Sequence, residues 1–285
     1  MKIGCGTVTF RNAPLEDAME RIARAGFEYV EPQATAPFCP HIDPWRDDPG
    51  KFKQRVKNLG FKGVSGLWAP HGAIMADDQC VEGISQAIRW AREAGIPAVF
   101  AGDGVKPGNL SDEDALKVLR DRLGQILVTA GECGVYLAIE PHGTFSLTAA
   151  GLKKIMAMSD SKWLGINYDT ANVARAAYVE TKGGSYSWAS NQTDDEKEAS
   201  ANEVATLEAV IDRVVHVHAK DVKGENCVIL GQGTVDVGGC LRALHRRDYK
   251  GVLSVETEGN FSLEEGSRLI GGSRDYLGRM LASFR

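Results

Sequence analysis

The sequence predicts a closed α/β barrel of the (β/α)8 TIM type, and three observations carry the prediction. Short β-rich runs recur eight times along 285 residues. Helical apolar patterns lie between them. Several runs are entered through a glycine placed to close the preceding helix. Strands alternating with helices imply a parallel sheet, and eight such units in a chain of this length favour closure over an open sheet. An open doubly wound sheet is the alternative. No GxGxxG follows the first run, so no nucleotide cofactor is expected. With no evident linker, residues 1–285 read as one barrel domain.

The runs, in order, are KIGCGTV (2–8), FEYVEP (27–32), KGVSGLW (62–68), PAVFAGD (97–103), VYLAIEP (135–141), WLGINYD (163–169), VVHVHAKD (214–221) and GVLSVETE (251–258). Between them Leu15, Ala18, Met19 and Ile22 are spaced to line one helix face. Val81, Ile84, Ala87, Ile88 and Ala91 form a second such set, and Leu116, Leu119, Leu123, Ile126 and Leu127 a third. Glycine in RAGF, NLGF, EAGI and ECGV takes the left-handed conformation that ends a helix. Ser111 with Asp114, and Ser262 with Glu265, have the spacing of N-terminal caps. GGSYSWASNQTDDEKEASANE (183–203) is polar and without apolar period; it reads as an extended loop entering a helix near Asn202.

Composition excludes several classes. A net charge of -5 and a pI near 5.8 give no footprint for nucleic acid or an anionic membrane. No apolar run approaches the roughly 18 residues of a membrane span. MKIGCGTVTF has no signal-peptide layout, and the six cysteines form no CxxC pair. Reduced thiols and a cytoplasmic location are therefore expected.

The strand ends hold the chemistry, because the active face of such a barrel lies at the C-terminal ends of its strands. LAIEPHG (137–143) ends a buried strand on Glu140, with His142 on the same side. The next strands end in Asp169, in a His216/His218/Lys220 side followed by Asp221, and in Glu256 followed by Glu258. Trp68 and His71 follow the third run. Four consecutive strands thus offer Glu, Asp, His and Glu. Three carboxylates meeting at a partly buried point repel one another, and a divalent cation resolves the repulsion. The donor set suits Mn2+, Mg2+ or Co2+, with zinc possible. The alternative is a set of structural ion pairs. Asp103, Glu31 and Glu258 read as solvated or capping groups, His216 as a histidine of the core or one lying behind the ligands, and GQGTVD (231–236) as a glycine-containing loop after the seventh run or an ordinary turn.

In the ordered set IEPHG, YDTAN, HVHAKD and SVETEG, the chain resembles the xylose isomerase-like barrel superfamily of sugar isomerases, ketose 3-epimerases, inosose dehydratases and endonuclease IV enzymes. The resemblance implies one divalent metal, Mn2+ favoured, on Glu140, Asp169, His218 and Glu256. His218 is assigned because the second histidine of the HxH pair matches the ligand. It further implies Glu140 and Glu256 as an acid/base pair acting next to a keto-sugar carbonyl through a metal-held enediolate, with His142 at the substrate. Trp68, His71, Asn172, Lys220 and Asp221 are the expected substrate contacts. Two departures stand out. Asn172 occupies the place of a histidine in 3-epimerases, and Gly224 the place of an arginine. The same first step serves a dehydratase or lyase of the inosose dehydratase or 3-oxo-glycoside deglycosidase kind. A metal-binding subunit of a hetero-oligomer is a further alternative. Asn172 and the acidic pI count against DNA repair. Family habit implies a sugar or cyclitol substrate and a dimer or tetramer.

Overall fold

The computed structural model describes residues 1–175, 178–180, 186–188 and 202–284. Nine strands build the barrel wall: β1 (Lys2–Gly6), β2 (Tyr29–Glu31), β3 (Gly63–Val64), β4 (Leu67–Ala73), β5 (Ala98–Gly104), β6 (Tyr136–Gly143), β7 (Leu164–Asp169), β8 (Val214–Ala219) and β9 (Val252–Val255). They form one parallel sheet in the order β3-β2-β1-β9-β8-β7-β6-β5-β4. The two ends of that order are halves of one stave, parted by Ser65 and Gly66. A single bridge between Gln33 and Trp68 joins the second half to the extension of β2. Nine strands therefore make eight staves.

The run 62–68, expected as one strand, is interrupted at Ser65 and Gly66. A β-carbon at Gly66 would collide with the ring of Phe100 on β5. That ring is fully buried and packs 4.6 Å from the His216 ring and 5.4 Å from the His218 ring. The glycine thus makes room for the aromatic floor under the strand-end histidines.

The outer layer holds helices α1 (Leu15–Arg24), α2 (Pro49–Asn58), α3 (Cys80–Ala94), α4 (Asp112–Cys133), α5 (Ala149–Met156), α6 (Thr170–Arg175), α7 (Glu203–Val210), α8 (Val237–Arg246) and α9 (Leu263–Ala282). Their apolar faces are the periodic ones: Leu15, Ala18, Met19 and Ile22 on α1 are buried, as are Leu116, Leu119, Leu123, Ile126 and Leu127 on α4. Ser111 and Ser262 accept from the backbone N–H groups of Asp114 and Glu265, as their spacing predicts. Gly26, Gly60, Gly95 and Gly134 all have φ between 66° and 83°, where a side chain would be strained. Among the described residues no helix is long and apolar enough to cross a membrane.

The expected polar loop at 183–203 needs one correction. Residues 186–188 pair antiparallel with 178–180, so part of that segment is a hairpin strand. Asn202 caps α7 by accepting from Ala205 N–H at 2.8 Å, as expected of the helix start. Residues 183–185 and 189–201 lie outside the described residues.

Candidate active site

Four adjacent staves deliver the strand-end quartet. Glu140 is on β6, Asp169 ends β7, His218 is on β8 opposite Asp169 in the ladder, and Glu256 directly follows β9. One ligand atom from each lies within 4.8 Å of the others, and all four residues are buried. His218 Nδ1 is 2.9 Å from Glu140 Oε2, 3.4 Å from Glu256 Oε2 and 3.9 Å from Asp169 Oδ2. Asp169 Oδ1 accepts the N–H groups of Ala171 and Asn172 at the start of α6, which fixes the carboxylate.

The residues fit a divalent cation. Asp169 Oδ2 and Glu256 Oε2 are buried and make no hydrogen bond of good geometry, and a buried carboxylate oxygen needs a cation or a donor to offset its burial. Three carboxylates with one imidazole are a donor set for a hard or borderline ion. The nearest cation these oxygens meet is the buried Lys220 ammonium, 2.9 Å from Asp169 Oδ2, 2.5 Å from Glu256 Oε2 and 2.8 Å from Glu258 Oε2.

In the protein alone, burial and neighbouring charges shift these groups from their ordinary values. Burial pushes Glu140 up to about 8, opposed by His218 and assisted by Glu256. Burial also works against a charged Glu256, but His218 and Lys220 outweigh it and hold the carboxyl below its usual value. Burial alone would neutralise His218; Glu256, Glu31 and Glu140 instead hold it well above the usual histidine range. Lys220 is likewise raised against its burial by Asp169, Glu256 and Glu258.

Above the quartet opens a cleft of about 200 Å3. Glu140, Glu256, Glu258, His142 and Asn172 are among its lining residues, with Gln33 and Trp68. Trp68 Nε1 donates to Glu140 Oε2 at 3.2 Å, and the His142 ring stands edge-on to Trp68 at 5.8 Å. Burial lowers the His142 pKa. Asn172 donates to Glu140 Oε1 at 2.9 Å. Lys220 lies beneath the cleft wall and reaches the cleft through Glu258.

Two expected contacts sit elsewhere. His71 has φ 56°, packs against Gly83 of α3 and bonds Asp77 Oδ2 at 2.8 Å, so its ring turns away from the cleft. Asp221 is buried and accepts the N–H groups of Val222, Gly231, Gly233 and Val235. It organises the GQGTVD segment and does not line the cleft.

Other groups exceed their expected roles. Glu31 is fully buried, and its carboxylate meets both strand-end histidines. Glu258 lines the cleft. Asp103, also buried, accepts from Phe145 N–H, Ser146 N–H and the Ser146 hydroxyl. The Gln33 and Phe38 contributions come from the segment after β2, which carries no motif.

Comparison with known proteins agrees with this architecture. An inosose dehydratase of Lactiplantibacillus plantarum is 30% identical over 149 residues, 45% of this chain and 42% of that one; the match thus spans less than half of the relative. A D-tagatose 3-epimerase-like protein superposes with a TM-score of 0.77 at 20% identity, covering 100% of this chain and 98% of that one. The zinc-bound IolI protein gives 0.77 at 16% identity, covering 100% and 99%. Both structural likenesses are of fold. The model of the xylose isomerase-like TIM barrel matches residues 19–273, and the chain belongs to that family.

Proposed function

We propose that this protein is a divalent-metal-dependent enzyme that removes a proton next to the carbonyl of a keto-sugar or cyclitol ketone and returns it as an isomerase or epimerase. One observation carries the reading. Of the four quartet residues, Glu140 and Glu256 alone both face the quartet centre and line the cleft. These two carboxylates are therefore the ones a substrate meets.

A bound ion, with Mn2+ the first to try, would polarise the substrate carbonyl and acidify the neighbouring C–H. The chain's own residues do the rest. Glu140 and Glu256, the two quartet carboxylates that also line the cleft, are the groups that take the proton and return one. Trp68 and Asn172 hold the Glu140 carboxyl from two sides.

A second reading, elimination, is favoured by His142 and Glu258 on the same cleft wall. The dehydratase relative supports it. Proton NMR in D2O on Mn2+-loaded protein with free ketoses, keto-inositols and 3-oxo-glucosides separates the two. Deuterium entering beside the carbonyl, with a second isomer, supports the first reading; loss of water or an aglycone supports the second. No exchange with any ketone would end both. Gel filtration tests a dimeric or tetrameric assembly.

A further inference from the structure

A set of buried polar contacts runs through His218. Glu31 Oε1 is 2.8 Å from His218 Nε2. Glu31 Oε2 is 3.3 Å from His216 Nε2. His216 Nδ1 is 2.8 Å from Asn167 Oδ1. Asn167 Nδ2 donates to Glu140 Oε2 at 2.8 Å, and Glu140 Oε2 is 2.9 Å from His218 Nδ1. Glu31, Asn167, Glu140, His216 and His218 are all buried and come from four different staves.

The partners in this set have fixed roles. Asn167 gives its N–H to Glu140, so its carbonyl oxygen faces His216, whose Nδ1 donates. His218 donates from Nε2 to Glu31, which leaves Nδ1 aimed at the three quartet carboxylates. A metal-bound histidine that gives its other N–H to a carboxylate is held in one orientation and made a stronger ligand.

We infer that Glu31, whose Oε2 accepts the Ser65 hydroxyl at 3.3 Å, is the positioning residue that aims His218 at a single bound ion. The inference rests on the metal-centre reading of the quartet and deepens it. The set also ties the aim of His218 to Glu140, because Asn167 links the two sides.

A rival arrangement uses the same atoms. Glu31, His216 and His218 lie within 4.8 Å of one another, and His216 Nε2 makes no hydrogen bond of good geometry. A second ion there would require His218 to bind through both nitrogens. None of the three residues lines the cleft. The 2.8 Å from Glu31 to His218 Nε2 is a hydrogen-bond length. Geometry thus favours one ion.

Calorimetric titration of chelator-stripped full-length protein with Mn2+ and with Co2+ tests this, alongside the visible spectrum of the Co2+ form. The wild type is expected to bind one ion per chain. Glu31→Gln should bind it roughly 10–100-fold more weakly and with an altered Co2+ spectrum. His216→Gln should weaken binding less. If Glu31→Gln does not fold, Glu31→Asp, which keeps the charge and shortens the reach, is expected to show the same direction of change. Unchanged affinity and spectrum in these variants, or two ions per wild-type chain, would overturn the inference and leave the metal centre standing. A wild type that binds no ion would remove the metal centre itself.

Discussion

Asn172 bonds both ends of the candidate centre: its side-chain amide donates to Glu140 Oε1 at 2.9 Å, and its backbone N–H donates to Asp169 Oδ1 at 2.8 Å. The residue that departs from the 3-epimerase pattern therefore holds a carboxyl of the proposed acid/base pair. Asn172→Ala keeps the backbone bond and removes the amide. A hydrogen bond to a charged group contributes about 1.5–3 kcal/mol, so kcat should fall roughly 10–100-fold with metal content unchanged. Steady-state kinetics beside elemental analysis checks this, and full activity would show that Glu140 needs no such partner.

The ligand assignment separates Glu256 from Glu258, two residues apart on the same extended segment. Asp169→Asn and Glu256→Gln should emerge from Mn2+ loading and desalting with little metal, while Glu258→Gln should keep it. Chelator treatment of the wild type should abolish turnover, and added Mn2+ should restore it. Metal and activity both intact in Asp169→Asn and Glu256→Gln would reduce the quartet to structural ion pairs.

Asp103 makes the pH dependence of stability testable away from the metal ligands. Burial holds its carboxyl up at about 6, against the lowering effect of the Ser146 hydroxyl and backbone N–H groups. Unfolded, it titrates near 4. The folded chain therefore binds this proton more tightly, and stability declines as pH rises through about 4 to 6. The full effect is about 3 kcal/mol. In urea titrations, wild type minus Asp103→Asn should be more favourable to the wild type at pH 4 than at pH 7. A difference independent of pH would refute the assignment.

Gly66→Ala should be costly although the residue belongs to no motif. Its β-carbon would strike the Phe100 ring, and overpacking a core of this kind typically costs about 1–3 kcal/mol. A fall of several degrees in Tm is expected. Because Phe100 packs against His216 and His218, metal affinity should fall in the same variant.

These residues also show what could be read from the chain and what could not. The quartet was legible because in a parallel barrel strand ends converge, whatever the loops do. The helix faces and the four closing glycines were legible because period and φ preference are local. His71 was expected at the site only because it follows the third run; β4 is irregular between Trp68 and Ala73, φ at His71 is positive, and its ring meets Asp77. Asp221 lies past the end of β8, where the chain turns into the short hairpin of Val222–Lys223 and Asn226–Cys227. Glu31 looked solvated because its partners, His216 and His218, lie more than 180 residues away. Nothing local announces a contact of that range.

The bridge between Gln33 and Trp68 has a dynamic consequence. It joins the second half of the broken stave to its neighbour, and its Trp68 N–H to Pro32 carbonyl distance is long, 3.4 Å. Both residues also touch the site's carboxylates: Gln33 Nε2 lies 3.4 Å from Glu256 Oε1, and Trp68 bonds Glu140. The barrel should breathe first along this line, and a molecule seated in the cleft should act as a stitch across it. Amide exchange at Trp68 should then be fast in the empty protein and slow on ligand binding, a local stiffening that reports occupancy before any turnover is seen.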